Sequence, residues 1–258
     1  MLIITGSIAW DYIMDFPGSF SDHILADQLH TINLSFIVKT FAKRRGGTAG
    51  NVSYSLGLLN TPHKLFSTAG SDFEEYRSAF TKLGILTDQV KIYKDTYTAT
   101  GFGMTDKTNN QIWGFFYGAN EYVDSLVLKG FASTDDLVLI GPQGAKGSLS
   151  FVRQCTELKI PYMFDPGFIL TQASDEEITY GVTNAKILIG NDYEINLIGT
   201  RVKNFIGIVK EKIVITTLGE KGAVIEEKGQ KILIQSAITK EVIDPSGAGD
   251  AWRSGFLA

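Results

Sequence analysis

The chain has 258 residues, 44% of them hydrophobic, enough for one sizeable domain with a small appendage. Its net charge of −4, from 24 basic and 28 acidic residues, lacks the basic surplus that nucleic acid binding requires. A small anionic substrate is not excluded, because the local field matters more than the total.

The first ten residues, MLIITGSIAW, are apolar but short and carry no basic leader, so they read as a first strand and not a signal peptide. No stretch approaches the roughly 18 uncharged apolar residues of a membrane span, and no membrane partner is expected. Cys155 is the one cysteine, so no internal disulfide can form. It reads as a reduced thiol half-buried in a helix, which fits a cytoplasmic protein.

In chain order, residues 2–5 form a strand closed by Gly6-Ser7, and 48–59 a helix entered through glycines. Residues 64–68 form a strand, and 74–83 a helix ended by Gly84. Short β-rich runs follow at 137–140, 162–164, 187–189 and 213–216, with helical periodicity near 148–159, 175–182 and 192–210. This alternation predicts a mostly parallel sheet covered on both faces, a three-layer α/β/α architecture. Residues 11–44 and 96–117 break the rhythm. The second region holds two alternating runs, 98–105 and 111–117, joined by a turn at 106–110, a hairpin signal. Both read as a small β-sheet lid inserted into the core, over about 11–44 and 94–120.

Polar or glycine residues follow nearly every core strand: Gly6-Ser7, Gly141-Pro142-Gln143, Asp165-Pro166, Asn191-Asp192 and Thr217-Leu218-Gly219. Ligands of open parallel sheets bind outside the carboxyl ends of the strands. In DPSGAGD (244–250), a helix starts near Gly247. Its first N–H groups lack intrahelical acceptors and carry the positive end of the macrodipole. Small residues let an anion approach them, as a phosphoryl group gaining charge in flight would. Asp250, in the first turn, is placed to act as a general base; a plain capping turn with an acid favoured by the dipole is the alternative.

The second cluster, GGTAGN (46–51), opens the 48–59 helix. Paired glycines permit close backbone approach to a ligand, and Asn51 brings both a donor and an acceptor. Other motifs are absent. GPQGAKGS (141–148) has its lysine one place early for a phosphate-binding loop, and DPSGAG lacks the first glycine of a serine-hydrolase elbow. His23, His30 and His63 have no metal-ligand spacing.

Taken in order, GSIAWD (6–11), GGTAGN (46–51), STAGSDF (67–73) with LGI (83–85), NDYE (191–194), TLGEKGA (217–223) and DPSGAGD (244–250) resemble the motifs of the PfkB/ribokinase family of small-molecule kinases. The resemblance covers the whole chain, as one domain. It implies a mostly parallel sheet flanked by helices with a small β-sheet lid, and transfer of the γ-phosphoryl of ATP to a substrate hydroxyl. Family members run longer, so it also implies a chain incomplete at its C-terminus.

Carried over residue by residue, the resemblance makes Asp250 the base. Backbone N–H groups of Gly247, Ala248 and Gly249 become the anion hole. Asp11, Gly46, Gly47 and Asn51 bind the acceptor's sugar hydroxyls. Asn191 lies near the phosphates, Thr217 and Gly219 contact ATP, and Gly222 supports their loop. Glu194 orients water on Mg²⁺, and Asp244 and Ser246 match positions that hold a monovalent cation, K⁺, in some members. FPGSFSDHIL (16–25), INLSFIV (32–38) and TDKTNNQIWGFFYGA (105–119) look most like members assigned as adenosine or nucleoside kinases. In them Phe36, Phe115, Phe116 and Tyr117 are placed either to stack on a purine or simply to pack lid against core. A sugar kinase of the ribokinase or fructokinase type and a nucleoside-binding protein without catalysis are the alternatives. A homodimer through the lid sheet is a further implication.

Overall fold

The computed structural model describes residues 1–24, 33–239 and 246–258. Asp244, Pro245, His30 and the ends of two lid segments, Leu25 and Ile32, lie outside the described residues. The chain runs through β1 (Leu2–Thr5), β2 (Ala9–Asp15), β3 (Thr40–Gly46), α1 (Thr48–Leu58), β4 (His63–Leu65), β5 (Thr68–Gly70) and α2 (Glu74–Thr81). It continues through β6 (Lys91–Tyr93), β7 (Ala99–Thr105), β8 (Gln111–Phe116), β9 (Leu137–Ile140), α3 (Ala145–Glu157), β10 (Tyr162–Phe164) and α4 (Asp175–Asn184). The last elements are β11 (Ile187–Asn191), α5 (Asp192–Arg201), α6 (Phe205–Val209), β12 (Ile213–Thr217), β13 (Ala223–Glu227), β14 (Gln230–Ile234) and α7 (Ala248–Leu257).

The main sheet has eight strands in the order β14-β13-β12-β11-β10-β9-β1-β4. From β12 to β4 the pairs are parallel; β13 and β14 return antiparallel at one edge. Successive residues of each parallel strand point to opposite faces, and both faces are covered. Ile3, Val138, Ile140, Phe164 and Leu188 pack against α3, α4 and α5 through Val152, Cys155, Val182 and Ile198. Ile4, Leu139, Met163, Ile189 and Ile215 pack the other way, against Val52 and Leu56 of α1, Tyr76 and Phe80 of α2, and Trp252 and Phe256 of α7. The expected three-layer α/β/α architecture is the observed one. No helix among the described residues is long and apolar enough to cross a membrane.

A separate four-stranded sheet, β3-β2-β7-β8, forms the lid. β2 pairs parallel with β7 and antiparallel with β3, and β7-β8 is the expected hairpin. Its turn is organised by the Asp106 carboxylate, which accepts from the N–H groups of Thr108 and Asn110 and, across the lid, of Phe20. These bonds to the charged form hold the carboxyl well below its usual range, although burial opposes it.

Three local readings change. The strand expected over 64–68 divides: β4 ends at Leu65, and β5 pairs with β6 in a second small sheet. The chain leaves the main sheet because β1, its neighbour, ends there; the Ser67 hydroxyl takes the Gly6 carbonyl at 2.7 Å. The helix expected over 192–210 breaks at Asn204, which adopts a left-handed φ of 56°. Cys155 is fully buried, not half-buried, and burial pushes its thiol up to about 12.

The hairpin β13-β14 carries no clean alternation, so periodicity does not announce it. Its two-residue loop, Lys228-Gly229, has positive φ at both positions, the geometry that matches strand twist.

α1 and α2 meet at Gly50, where an added Cβ would lie 1.9 Å from the Tyr76 hydroxyl. That hydroxyl donates to the Gly46 carbonyl at 2.9 Å. At an open helical site glycine-to-alanine stabilises by roughly 0.5–1 kcal/mol. Here Gly50→Ala is expected to destabilise by about 1–3 kcal/mol, the range for overpacking, as read by urea unfolding.

Candidate active site at the carboxyl ends of the strands

The first strand ends in Gly6-Ser7, and Ser7 holds the start of α1. Its carbonyl accepts from the N–H groups of Ala49 and Gly50 at 3.0 and 3.3 Å, and its hydroxyl from Thr48 at 3.1 Å. The exposed amides of this helix start are therefore satisfied within the chain. Gly47 has a φ of 84°, and a Cβ there would lie 2.5 Å from the Ser7 oxygen. A Cβ on Gly46 would fall 2.0 Å from the Asp11 carboxylate. The glycine pair thus owes its backbone closeness to Ser7 and Asp11, beyond any ligand.

Between this helix start and the lid lies a cavity of about 410 Å³ lined by Ser7, Asp11, Gly47, Phe115, Phe116, Tyr117, Asn120, Phe168 and Gln172 among others. Most of its lining is aromatic or backbone, with few polar groups. Burial raises the Asp11 carboxyl above its ordinary value, and no described residue donates a hydrogen bond to it. Of the four lid aromatics singled out in the sequence, Phe115, Phe116 and Tyr117 line this cavity. Phe36 does not; it packs edge-on against Phe16 and Phe20 inside the lid.

Asn51 is not among the residues lining that cavity. It stands on α1 with its side-chain N–H donating to the Asp250 carboxylate at 2.8 Å, across 199 residues of sequence. Asp250 lies in the first turn of α7, whose N-cap, Gly247, has a φ of 76°. Among the described residues none accepts from the N–H groups of Ala248 or Gly249, as the first amides of a helix lack intrahelical acceptors. Burial pushes the Asp250 carboxyl up to about 6; the Asn51 donor and Arg253 pull it down, and Asp165 pushes it up. Tyr76, buried beneath, feels both Asp11 and Asp250, so the two acids share one electrostatic neighbourhood.

Arg253 of α7 is within electrostatic reach of Glu194, at the start of α5 after β11. Asn191 and Glu194 form a reciprocal cap at the start of α5. The Asn191 side chain accepts from the Glu194 N–H, and the Glu194 carboxylate from the Asn191 N–H, each at 2.8 Å. Burial raises the Glu194 carboxyl, and Asp165 adds to that. Thr217 pairs with Asn191 across the sheet, which puts the two motifs side by side. Gly219 and Gly222 carry positive φ in the turn that leads into β13. At Gly222 a Cβ would strike the Ile234 carbonyl at 2.0 Å, so that glycine serves the packing of β14. Ser246 opens the turn before α7.

Sequence reasoning missed Arg253 and gave Asp165 only a general role. Arg253 pairs with Asp165 at 2.5 Å, both nearly buried. The signal for Asp165 was its place at a strand's carboxyl end; Arg253 had none beyond its position one turn after Asp250. Asn120 and Gln172 were likewise not singled out.

The architecture is that of the ribokinase-like kinases, a three-layer core with a sheet lid over the carboxyl ends of its strands. The chain belongs to the pfkB family of carbohydrate kinases, whose model matches residues 17–258. It is 32% identical to a nucleoside kinase of Methanothermobacter thermautotrophicus, over 99% of this chain and 81% of that protein. Among solved structures it is similar to Burkholderia thailandensis nucleoside kinase in complex with inosine, at 34% identity and a TM-score of 0.85, covering 100% of this chain and 83% of that one. The same kinase in complex with ADP-inosine matches at 35% identity and a TM-score of 0.82, covering 100% and 81%.

The raised Asp250 carboxyl has a thermodynamic consequence. Between its ordinary 3.8 and about 6 the folded chain holds a proton there that the unfolded chain has lost. Stability from this group therefore falls as pH rises through that window, and above it the fold carries a buried charge. Asp250→Asn keeps the acceptor for Asn51 and is expected to stabilise the fold at pH 7.5 by about 1–3 kcal/mol. The gain should vanish near pH 4, as measured by thermal unfolding across the range.

Proposed function

We propose that this chain is an ATP-dependent nucleoside kinase, moving the γ-phosphoryl of ATP to a ribose hydroxyl of a purine nucleoside such as adenosine or inosine. The observation that carries this reading is the half-buried Asp250, held by Asn51 in the first turn of a glycine-capped helix whose first N–H groups meet no acceptor among the described residues. An aromatic-walled cavity, lined by an Asp11 carboxylate that takes no hydrogen bond from a described residue, opens at the N-terminus of α1, the helix that carries Asn51. The nucleoside kinases similar to this chain support the choice of acceptor. Aromatic walls suit a planar base better than a bare sugar.

In this reading Asp11 accepts hydrogen bonds from the ribose hydroxyls, Gly46 leaves room for its carboxylate, and Gly47 lines the same cavity. Phe115, Phe116 and Tyr117 enclose the base. Asp250, largely ionised at neutral pH, takes the proton of the attacking hydroxyl as its oxygen bonds to the γ-phosphorus and the bond to the bridging oxygen of ADP breaks. The N–H groups of Gly247, Ala248 and Gly249 stabilise the charge on the transferring group. Thr217 and Gly219 contact the nucleotide.

Among the described residues no three carboxylate, histidine or cysteine side chains gather to hold a metal directly. Glu194 and Asn191 would be the protein's contribution to holding Mg²⁺ brought in with the nucleotide. When bound, the ion neutralises phosphate charge.

A coupled assay on a panel of nucleosides and sugars tests the reading. Purine nucleosides should turn over best; preference for ribose or fructose, or binding without turnover, would overturn it. Asp250→Asn should lower kcat by about 10²-fold or more with the acceptor KM nearly unchanged. Asp11→Asn should raise the nucleoside KM while leaving the ATP KM in place.

A further inference from the structure

Arg253 stands three residues beyond Asp250 on α7, so the two share a helix face. Its side chain is only 12% exposed, and its ion-pair partner Asp165, at the end of β10, 1%. Apart from the Arg253 guanidinium, whose Nε lies 2.5 Å from one oxygen, no described group is hydrogen-bonded to the Asp165 carboxylate, so the guanidinium is what holds it. The guanidinium also lies against the helix start: a Cβ on Gly249 would sit 2.6 Å from its Nη1. Gly249 is therefore small for a reason on its inner side as well as its outer one.

A buried ion pair is poor value for stability, since apolar residues of similar volume often serve as well or better. This one is built where negative charge gathers. Arg253 feels Asp165 most strongly, then Asp250 and Glu194, and their attraction outweighs its burial. From the surrounding elements, Asp250 meets the Asn51 donor of α1, Asp165 of β10 and Arg253 on its own helix, with Tyr76 of α2 below.

We propose that Arg253, clamped by Asp165, is a positioning residue that keeps a fixed positive charge beneath the first turn of α7, holding Asp250 ready as the base and the turn attractive to the phosphoryl group. The proposal rests on the reading of Asp250 as the base. It assigns Arg253 no contact with substrate.

The test is the pH dependence of kcat with adenosine and ATP for the wild type, Asp250→Asn, Arg253→Met, Arg253→Lys and the double variant Arg253→Met/Asp165→Leu. Removing the positive charge disfavours the ionised base, so Arg253→Met should move the acid limb of kcat upward by about one pH unit and lower kcat at pH 7 by roughly ten-fold or more. The nucleoside KM should stay within about two-fold, and Arg253→Lys should bring the limb back towards the wild type. If Arg253→Met does not fold, the double variant is read instead, and its kcat should be similarly reduced. Wild-type kcat and acid limb in whichever variant folds would overturn the proposal. So would failure of both to fold, because the pair would then be structural. Full activity of Asp250→Asn would instead sink the base reading itself; loss in that variant with an unmoved limb in Arg253→Met would sink only the role of Arg253.

Discussion

The hydrogen bond between Asn51 and Asp250 joins the two ends of the chain and organises what lies between them. It requires α7 to dock on α1, and the docking is secured a turn further on, where the Ser254 hydroxyl donates to the Val52 carbonyl at 3.1 Å. Trp252 and Phe256 complete it on the same core that α1 and α2 cover. Once α7 is seated this way, Arg253 one turn beyond Asp250 lies within electrostatic reach of both Asp165 and Glu194, so the acid and the Asn191–Glu194 cap share one charged neighbourhood.

The same docking makes Asp250 costly to the fold. A carboxylate withdrawn from water prefers its proton, and one amide donor offsets that only in part. Such a group, raised into the range where it exchanges protons near neutrality, suits proton transfer and ill suits stability. Arg253 and Asp165 lie against this tension, with one positive charge among three carboxylates.

The lid solves a different problem. β2 leaves β1 with only Gly6 to Ile8 between them, so the sheet that covers the cavity is anchored directly at its floor. Asp11 is carried on β2 opposite Gly101 of β7, and the lack of side chains at Gly46 and Gly101 clears room for its carboxylate. Asp106 ties the far hairpin to Phe20, so the lid's outer end is braced by a charged acceptor as well as by the packing of Phe16, Phe20 and Phe36.

Much of the fold was legible in the residues. Short apolar runs placed the core strands at 2–5, 137–140 and 162–164, and the helix entered through glycines at 48 came out within a residue of its reading. Turn chemistry announced the 106–110 hairpin. The order of short glycine and acid motifs marked the ends of the strands where the site lies. Periodicity and turn preference are local properties, and the sequence carries them without help. What it did not carry was pairing. That Asn51 would meet Asp250, that Ser7 would satisfy the start of α1, that Phe36 would pack within the lid, and that Arg253 would pair with Asp165 all depended on which distant segments were brought together. Burial and partnership are set by that assembly alone, because a side chain's charge, desolvation and hydrogen bonds are defined only by the neighbours that the tertiary structure supplies.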